Sequence, residues 1–215
     1  MDLLHQALDL FLHLDTHLQD VIQTYGTWTY LLLFVIVFCE TGLVVTPVLP
    51  GDSLLFAAGT FAGIGSLSIS RLWVLLIVAA VLGDAVNYAI GHYMGPKVFT
   101  EQGHRFLKRE YLDRTHAFYE KYGGKTIIIA RFVPIVRTFA PFVAGVGSMT
   151  YARFALFNVI GAILWVTVCL AAGYIFGNVP FVREHFTLVV LGIIFVSILP
   201  GIIEWMRQRR DAAEA

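Results

Sequence analysis

The chain has 215 residues, of which 58% are hydrophobic and 14% charged, and its mean hydropathy is +0.74. A soluble domain of this size carries about 25% charge, so the composition excludes an ordinary water-soluble fold and indicates an integral membrane protein. Formal net charge is zero, so bulk charge implies no nucleic-acid partner, and the placement of individual charges carries the information instead.

Residues 1–27 open the chain without the basic stretch of a cleavable signal, carrying Asp2, Asp9, Asp15 and Asp20 among leucines. Leu4, Leu8, Phe11, Leu12, Leu18 and Ile22 fall on one helical face. They predict an amphipathic helix on the membrane surface or against the domain, not a span. A single membrane domain follows over residues 28–205. Its first apolar run, Trp28 to Cys39, ends in Glu40 and leads into Pro47-Val48-Leu49-Pro50-Gly51-Asp52, after which apolar sequence resumes from Ser53 to Ile64. Two prolines three apart with a following glycine break this piece, which is too short for the about 20 apolar residues of a span. A re-entrant helical hairpin over about 41–65 is the reading.

Leu72 to Ile90 is a span interrupted by Gly83-Asp84 and Asn87. Residues 96–125 form a basic loop with Lys97, Arg105, Lys108, Arg109, Arg114, Lys121 and Lys125, and Tyr111 to Tyr122 reads as a short surface helix. Residues 126–149 are apolar but broken, holding Arg131, Pro134, Arg137 and Pro141, and read as a second re-entrant hairpin. Phe154 to Phe176 and Phe186 to Ile203 are spans, and a basic tail over 206–215 carries Arg207, Arg209 and Arg210. The two basic regions belong on the cytoplasmic side. Four full spans satisfy this if both broken segments re-enter, the first from outside and the second from inside. The predicted fold is therefore all-α and polytopic, with about four transmembrane helices, two oppositely oriented re-entrant hairpins and a cytoplasmic C-terminus.

An internal repeat agrees with that plan. Arg71, Gly91 and Gly95 recur as Arg153, Gly173 and Gly177, and a proline-bearing segment precedes each set, Pro47 to Gly59 and Pro134 to Gly145. A broken hairpin followed by a span, present twice in opposite orientations, is an inverted-repeat transporter design with its site where broken helices meet.

Four charges stand in the two broken segments: Glu40, Asp52, Arg131 and Arg137. A charge at mid-membrane costs roughly 2.5–3.5 kcal/mol on insertion scales, and irregular backbone at that depth persists only inside protein or beside a wet cavity. Arg131 and Arg137 flank Pro134, and a break there aims both guanidiniums into one cavity. The planar fork of arginine suits phosphate and stays charged when desolvated. Glu40 and Asp52 are the proton-site candidates, since a carboxylate that exchanges its arginine partner for a phosphate changes its proton affinity. The bland alternatives are structural ion pairs between these arginines and Glu40 or Asp52, and helix capping by Asp52. Asp84 and Asn87 line the cavity or hydrogen-bond the hairpins, with Ser53 and Thr138 as weaker supporting candidates. Pro47, Pro50, Gly51, Pro134 and Pro141 are the hinge and break positions. Cys39 and Cys169 read as small packing residues. The seven histidines form no metal-ligand cluster, no metal or cofactor is implied, and no nucleophile elbow, Walker loop or zinc-protease motif is present. A phosphatase and an ion channel both fit poorly.

Phe38-Cys39-Glu40-Thr41-Gly42, then Pro47 to Asp52, then Gly83-Asp84 with Asn87-Tyr88, then Gly124-Lys125 leading to Arg131-Phe132-x-Pro134-x-x-Arg137, together resemble the bacterial DedA family over nearly the whole chain. The resemblance implies a bacterial inner-membrane protein related to VTT-domain lipid scramblases, with roles in envelope integrity and proton-dependent transport. It further implies a flippase for undecaprenyl phosphate or a similar anionic phospholipid, whose functional acids and arginines map onto Glu40, Asp52, Arg131 and Arg137. The expected partners are the lipid phosphate, protons and the bilayer; a homo-oligomer is compatible with the chain. A proton-independent scramblase, a small-ion antiporter and a non-transport envelope scaffold are the alternatives.

Overall fold

The computed structural model describes residues 24–43, 51–98, 124–147, 149–180, 182, 185, 188, 189 and 191–193. The expected N-terminal helix up to residue 23, Pro47 and Pro50, the loop residues 99–123, most of the expected last span and the basic tail lie outside the described residues.

Every element among the described residues is an α-helix. In chain order these are α1 (Trp28–Gly42), α2 (Gly51–Gly63), α3 (Ile69–Val98), α4 (Lys125–Ala130), α5 (Pro134–Val146) and α6 (Tyr151–Phe176). Two helices are long and apolar enough to cross a membrane, Ile69–Met94 within α3 and Tyr151–Phe176. The 26 residues of α6 reach about 39 Å at 1.5 Å per residue, more than the about 30 Å of a hydrocarbon core. On α6, Leu156, Val159, Ile163, Leu164 and Val168 are exposed while Phe154, Ala162, Trp165, Val166 and Leu170 are buried. A helix that is apolar on its outer face as well as its inner one is suited to lipid, not water.

α2 and α5 have 13 residues each, about 20 Å, which is short of a span. α2 is buried from Ser53 to Ala62 on every face, and its small residues (Gly59, Ala57, Ala58, Ala62) let other backbone come close. α4 and α5 are separated at the expected place. Val133 is extended (φ −117°, ψ 105°), as the residue before a proline prefers. Pro134 then opens α5, where its missing N–H costs nothing.

Two expectations need correction, on α3 and on Pro141. α3 runs unbroken through Gly83-Asp84 and Asn87 and extends to Val98; Asp84 Oδ2 accepts from Arg131 and Asn87 Nδ2 donates to the Thr41 and Thr138 carbonyls, so these polar side chains bond to other elements and do not interrupt their own helix. α1 runs to Gly42, which places Glu40 in its last turn. Pro141 does not break α5, which continues through it; the proline gives up one hydrogen bond of the ladder and the packing around it holds the helix together.

The backbone forms two compact units. The first comprises the chain up to Ile36, Pro50–Leu76 and the chain from Val166; the second comprises Val37–Leu49 and Ile77–Trp165. In the first unit α2 crosses the C-terminal part of α6 at glycines: a Cβ on Gly59 would meet the Leu170 carbonyl, and one on Gly173 would meet the Phe56 carbonyl. Thr60 Oγ1 donates to the carbonyls of Phe56 at 3.1 Å and Gly173 at 3.3 Å in the same crossing. Trp73 Nε1 donates to Thr167 Oγ1 at 2.8 Å, and the Arg71 guanidinium lies 5.3 Å from the Tyr30 ring centre.

The second unit contains the matching crossing. A Cβ on Gly145 of α5 would meet the Tyr88 carbonyl of α3, and one on Gly91 would meet the Phe142 carbonyl. Gly91 and Gly173 are the repeated glycines of the sequence, so the short helix of each half packs on the long helix of the other half. The second unit's core is Tyr88, Ile127, Ala130, Ala140, Ala144, Met149 and Phe154, with the Tyr88 ring stacked 4.5 Å from that of Phe154. Tyr88 closes it by donating its hydroxyl hydrogen to the Met149 carbonyl.

Candidate functional site: a buried arginine pair

All the polar groups of the site belong to the second unit. α1 supplies Glu40 and Thr41, α3 supplies Asp84 and Asn87, the break after α4 supplies Arg131, α5 supplies Arg137 and Thr138, and α6 supplies Asn158 and Trp165. Gly83 sets the spacing of α1 and α3: a Cβ there would run into Thr41 Oγ1, and a Cβ on Gly42 would lie 3.3 Å from Gly83 Cα. With no side chain on either glycine, the Glu40 and Asp84 helices approach closely enough to share one polar interior.

Both arginines are buried and each is held by an acid. Arg137 Nη2 donates to Glu40 Oε1, and Arg131 Nη2 donates to Asp84 Oδ2. Arg131 is 3% exposed and Glu40 1% exposed, so these are charges taken out of solvent, where pairing is what makes them tolerable. Arg131 Nη2 also donates to Asn158 Oδ1 at 2.6 Å, and Asn158 Nδ2 donates to the Val81 carbonyl at 3.0 Å. Asn158 thereby orients Arg131 against α3. Arg131 Nη1 is buried with no hydrogen-bond partner.

Asn87 ties three helices together. Its Nδ2 donates to the Thr41 carbonyl at 3.1 Å and the Thr138 carbonyl at 2.8 Å, which bonds α3 to α1 and α5. The two guanidiniums share one aromatic surface. The Trp165 ring centre lies 5.0 Å from the Arg137 guanidinium carbon and 5.9 Å from that of Arg131, within cation–π range. A small cavity lined by Thr41, Asp84, Arg131, Arg137, Pro141 and Trp165 opens between these groups, and it has room for about one water molecule.

The sequence-derived candidates therefore divide. The structure brings Glu40, Arg131 and Arg137 together with Asp84, Asn87 and Thr138, and Pro141 lines the same cavity. Asp84 joins Glu40 as a buried acid paired with one of the arginines. Asp52 stands half-buried in the first turn of α2, in the first unit, with Gly51 before it and the buried Ser53 after it; a carboxylate there complements the helix N-terminus. Cys39 and Cys169 are not joined in a disulfide.

Sequence reasoning missed Asn158 and Trp165. Asn158 is the amide of an otherwise apolar span, and polar side chains in such helices hydrogen-bond across helices. Trp165 sits in the middle of α6, whereas tryptophans of membrane helices concentrate at the interfaces. Both signals were present and neither pointed to arginine.

Residues 49–175 match the family described as the VTT domain. The chain is 56% identical over its full length to Protein DedA of Escherichia coli (strain K12), covering 99% of that protein. It is 48% identical to a membrane protein of Mycobacterium leprae (strain TN), over 84% of this chain and 82% of that one. It is 37% identical to Inner membrane protein YqjA of Escherichia coli (strain K12), over 70% of this chain and 69% of that one. No solved structure matches. On the family match and this full-length identity, the chain belongs to the DedA family of VTT-domain membrane proteins.

Proposed function

We propose that this protein is a flippase of the bacterial inner membrane that moves an anionic lipid phosphate, undecaprenyl phosphate or a similar phospholipid, across the bilayer with proton coupling. It is a transporter and not an enzyme. The observation that carries this reading is the pair of buried arginines at a helix break, each engaged by a buried carboxylate beside a cavity. The cavity holds about a water, so a phosphate enters only as the carboxylates release the guanidiniums. Glu40 and Asp84 then act as internal stand-ins for the ligand's oxygens. A released carboxylate at low dielectric takes up a proton, and this couples lipid phosphate binding to proton uptake. Asp52, in the other unit, is a second proton-site candidate.

Four spans and two re-entrant hairpins, with the C-terminus cytoplasmic, are the topology that goes with this mechanism. The short α2 and the α4–break–α5 segment supply the broken helices, and the two matching glycine crossings support an inverted repeat. The lipid tails stay in the bilayer while the headgroup crosses along the arginines.

The test is transbilayer movement of undecaprenyl phosphate in proteoliposomes, with and without a pH gradient, for the wild type and for Arg131→Ala/Arg137→Ala. Movement that needs both arginines and responds to the gradient is the expected result. A gradient-independent movement indicates a scramblase, and none at all removes the flippase reading. A second reading, a non-transport envelope scaffold, draws on the anchoring of Arg131 by both Asp84 and Asn158, which is what a structural ion-pair network looks like. Arginine variants that keep envelope function in cells select it.

A further inference from the structure

We propose that Trp165 is the positioning residue of the arginine site: its indole face carries both guanidiniums and keeps them turned toward one anion when their carboxylates let go. This rests on the anion-binding reading of Arg131 and Arg137. Two like charges in a water-poor interior repel, and each is held here by a separate acid on a separate helix, Asp84 on α3 and Glu40 on α1. If the acids alone positioned the arginines, releasing them would leave two long side chains free to separate or turn away. Trp165 is an uncharged group that both arginines share, at 5.0 and 5.9 Å, and it is 1% exposed. An indole face attracts a cation through its quadrupole, more strongly than the ring of Tyr or Phe and most strongly where water is absent. Unlike a carboxylate, it does not compete for the N–H donors that a phosphate needs, because it acts on the face of the guanidinium and leaves the edge available. Arg131 Nη1, buried without a hydrogen-bond partner beside that ring, is such an edge donor.

The position of Trp165 on α6 adds a second consequence. α6 also carries Asn158, which holds Arg131 at 2.6 Å, so one helix face presents an aromatic platform and an amide to the same guanidinium. A movement of α6 therefore carries both arginines with it.

The experiment uses the full-length protein labelled with 5-fluorotryptophan in nanodiscs, where the Trp165 fluorine resonance is identified by its loss in Trp165→Phe. Without added lipid phosphate, Arg137→Ala and Arg131→Ala each shift the Trp165 resonance and leave those of Trp28 and Trp73 in place; an unmoved Trp165 resonance overturns the proposal. In proteoliposomes holding undecaprenyl phosphate, Trp165→Phe and Trp165→Tyr keep the transfer rate within about threefold. Trp165→Leu, which fills space but offers no ring, loses about tenfold and raises the half-saturating lipid concentration. A Leu variant that performs like the Phe variant overturns the proposal as well. If the wild type moves no lipid phosphate, the transport reading falls by itself, and the resonance shifts alone decide whether Trp165 positions the arginines.

Discussion

Glu40 and Arg137 form a buried ion pair across 97 residues of sequence. The pair links α1 to α5, and neither helix is long: 15 and 13 residues. Removing one partner strands the other charge in a medium that cannot solvate it, which costs about 3–5 kcal/mol, whereas replacing both by apolar groups of similar volume is close to neutral. Glu40→Leu and Arg137→Met are therefore each expected to lower the unfolding midpoint in detergent, and Glu40→Leu/Arg137→Met to recover most of the loss. A double variant as unstable as the sum of the singles would mean that the two side chains do not depend on each other.

Arginine identity at the site is tested separately from charge. Arg137→Lys is expected to fail in lipid phosphate transfer as fully as Arg137→Ala, because an ammonium is a point charge without the planar fork, and it stacks less well on Trp165. Transfer assays with equal amounts of folded protein check this. Retained activity in the Lys variant would reduce the site to a simple positive potential.

Much of this arrangement is legible in the sequence, and the reasons differ by element. Arg131 and Arg137 announce themselves because charge in an apolar segment is expensive, and Pro134 announces the break because its geometry excludes a regular helix before it. Asp84 was harder to rank. It lies in the middle of a regular helix, and only the chain's long-range fold sets it opposite Arg131. Gly83-Asp84 looked like an interruption because a glycine in a span ordinarily weakens it. In fact the missing side chain serves helix approach, and α3 stays whole. Pro141 misled in the same way: a proline marks a lost hydrogen bond, and whether a helix bends there depends on neighbours that the local sequence does not name. A tryptophan in an apolar run, such as Trp165, reads as packing until a cation is found above its ring.

Asn158 gives a prediction that separates orientation from charge. It accepts from Arg131 and donates to the Val81 carbonyl. Asn158→Leu removes the acceptor and leaves an N–H of a buried guanidinium unmatched, at a cost of about 1–3 kcal/mol. The expected outcome is a lower unfolding midpoint together with a higher half-saturating lipid concentration. Asn158→Asp places a second carboxylate against Arg131, so it is expected to hold the fold but to slow transfer, since the ligand must now displace two acids. An Asp variant that transfers faster than the wild type would contradict the view that carboxylates compete with the ligand for Arg131.

The matching glycine crossings predict matching sensitivities in the two units. At Gly59 an added Cβ meets the Leu170 carbonyl, and at Gly91 it meets the Phe142 carbonyl, both too close to backbone for a small adjustment to relieve. Overpacking of this kind costs about 1–3 kcal/mol, occasionally more. Gly59→Ala and Gly91→Ala are each expected to lower the thermal midpoint, by comparable amounts if the two crossings are equivalent halves of one repeat. At Gly192 the new methyl group meets nothing within 4 Å among the described residues, and Gly192→Ala is the control expected not to lower the midpoint. If Gly91→Ala is tolerated while Gly59→Ala is not, the α3–α5 crossing is loose enough to shift, and the arginine site built on it moves during the cycle. If both fail together, the crossings are rigid, and the release proposed for Glu40 and Asp84 would have to come from side chains and from α1.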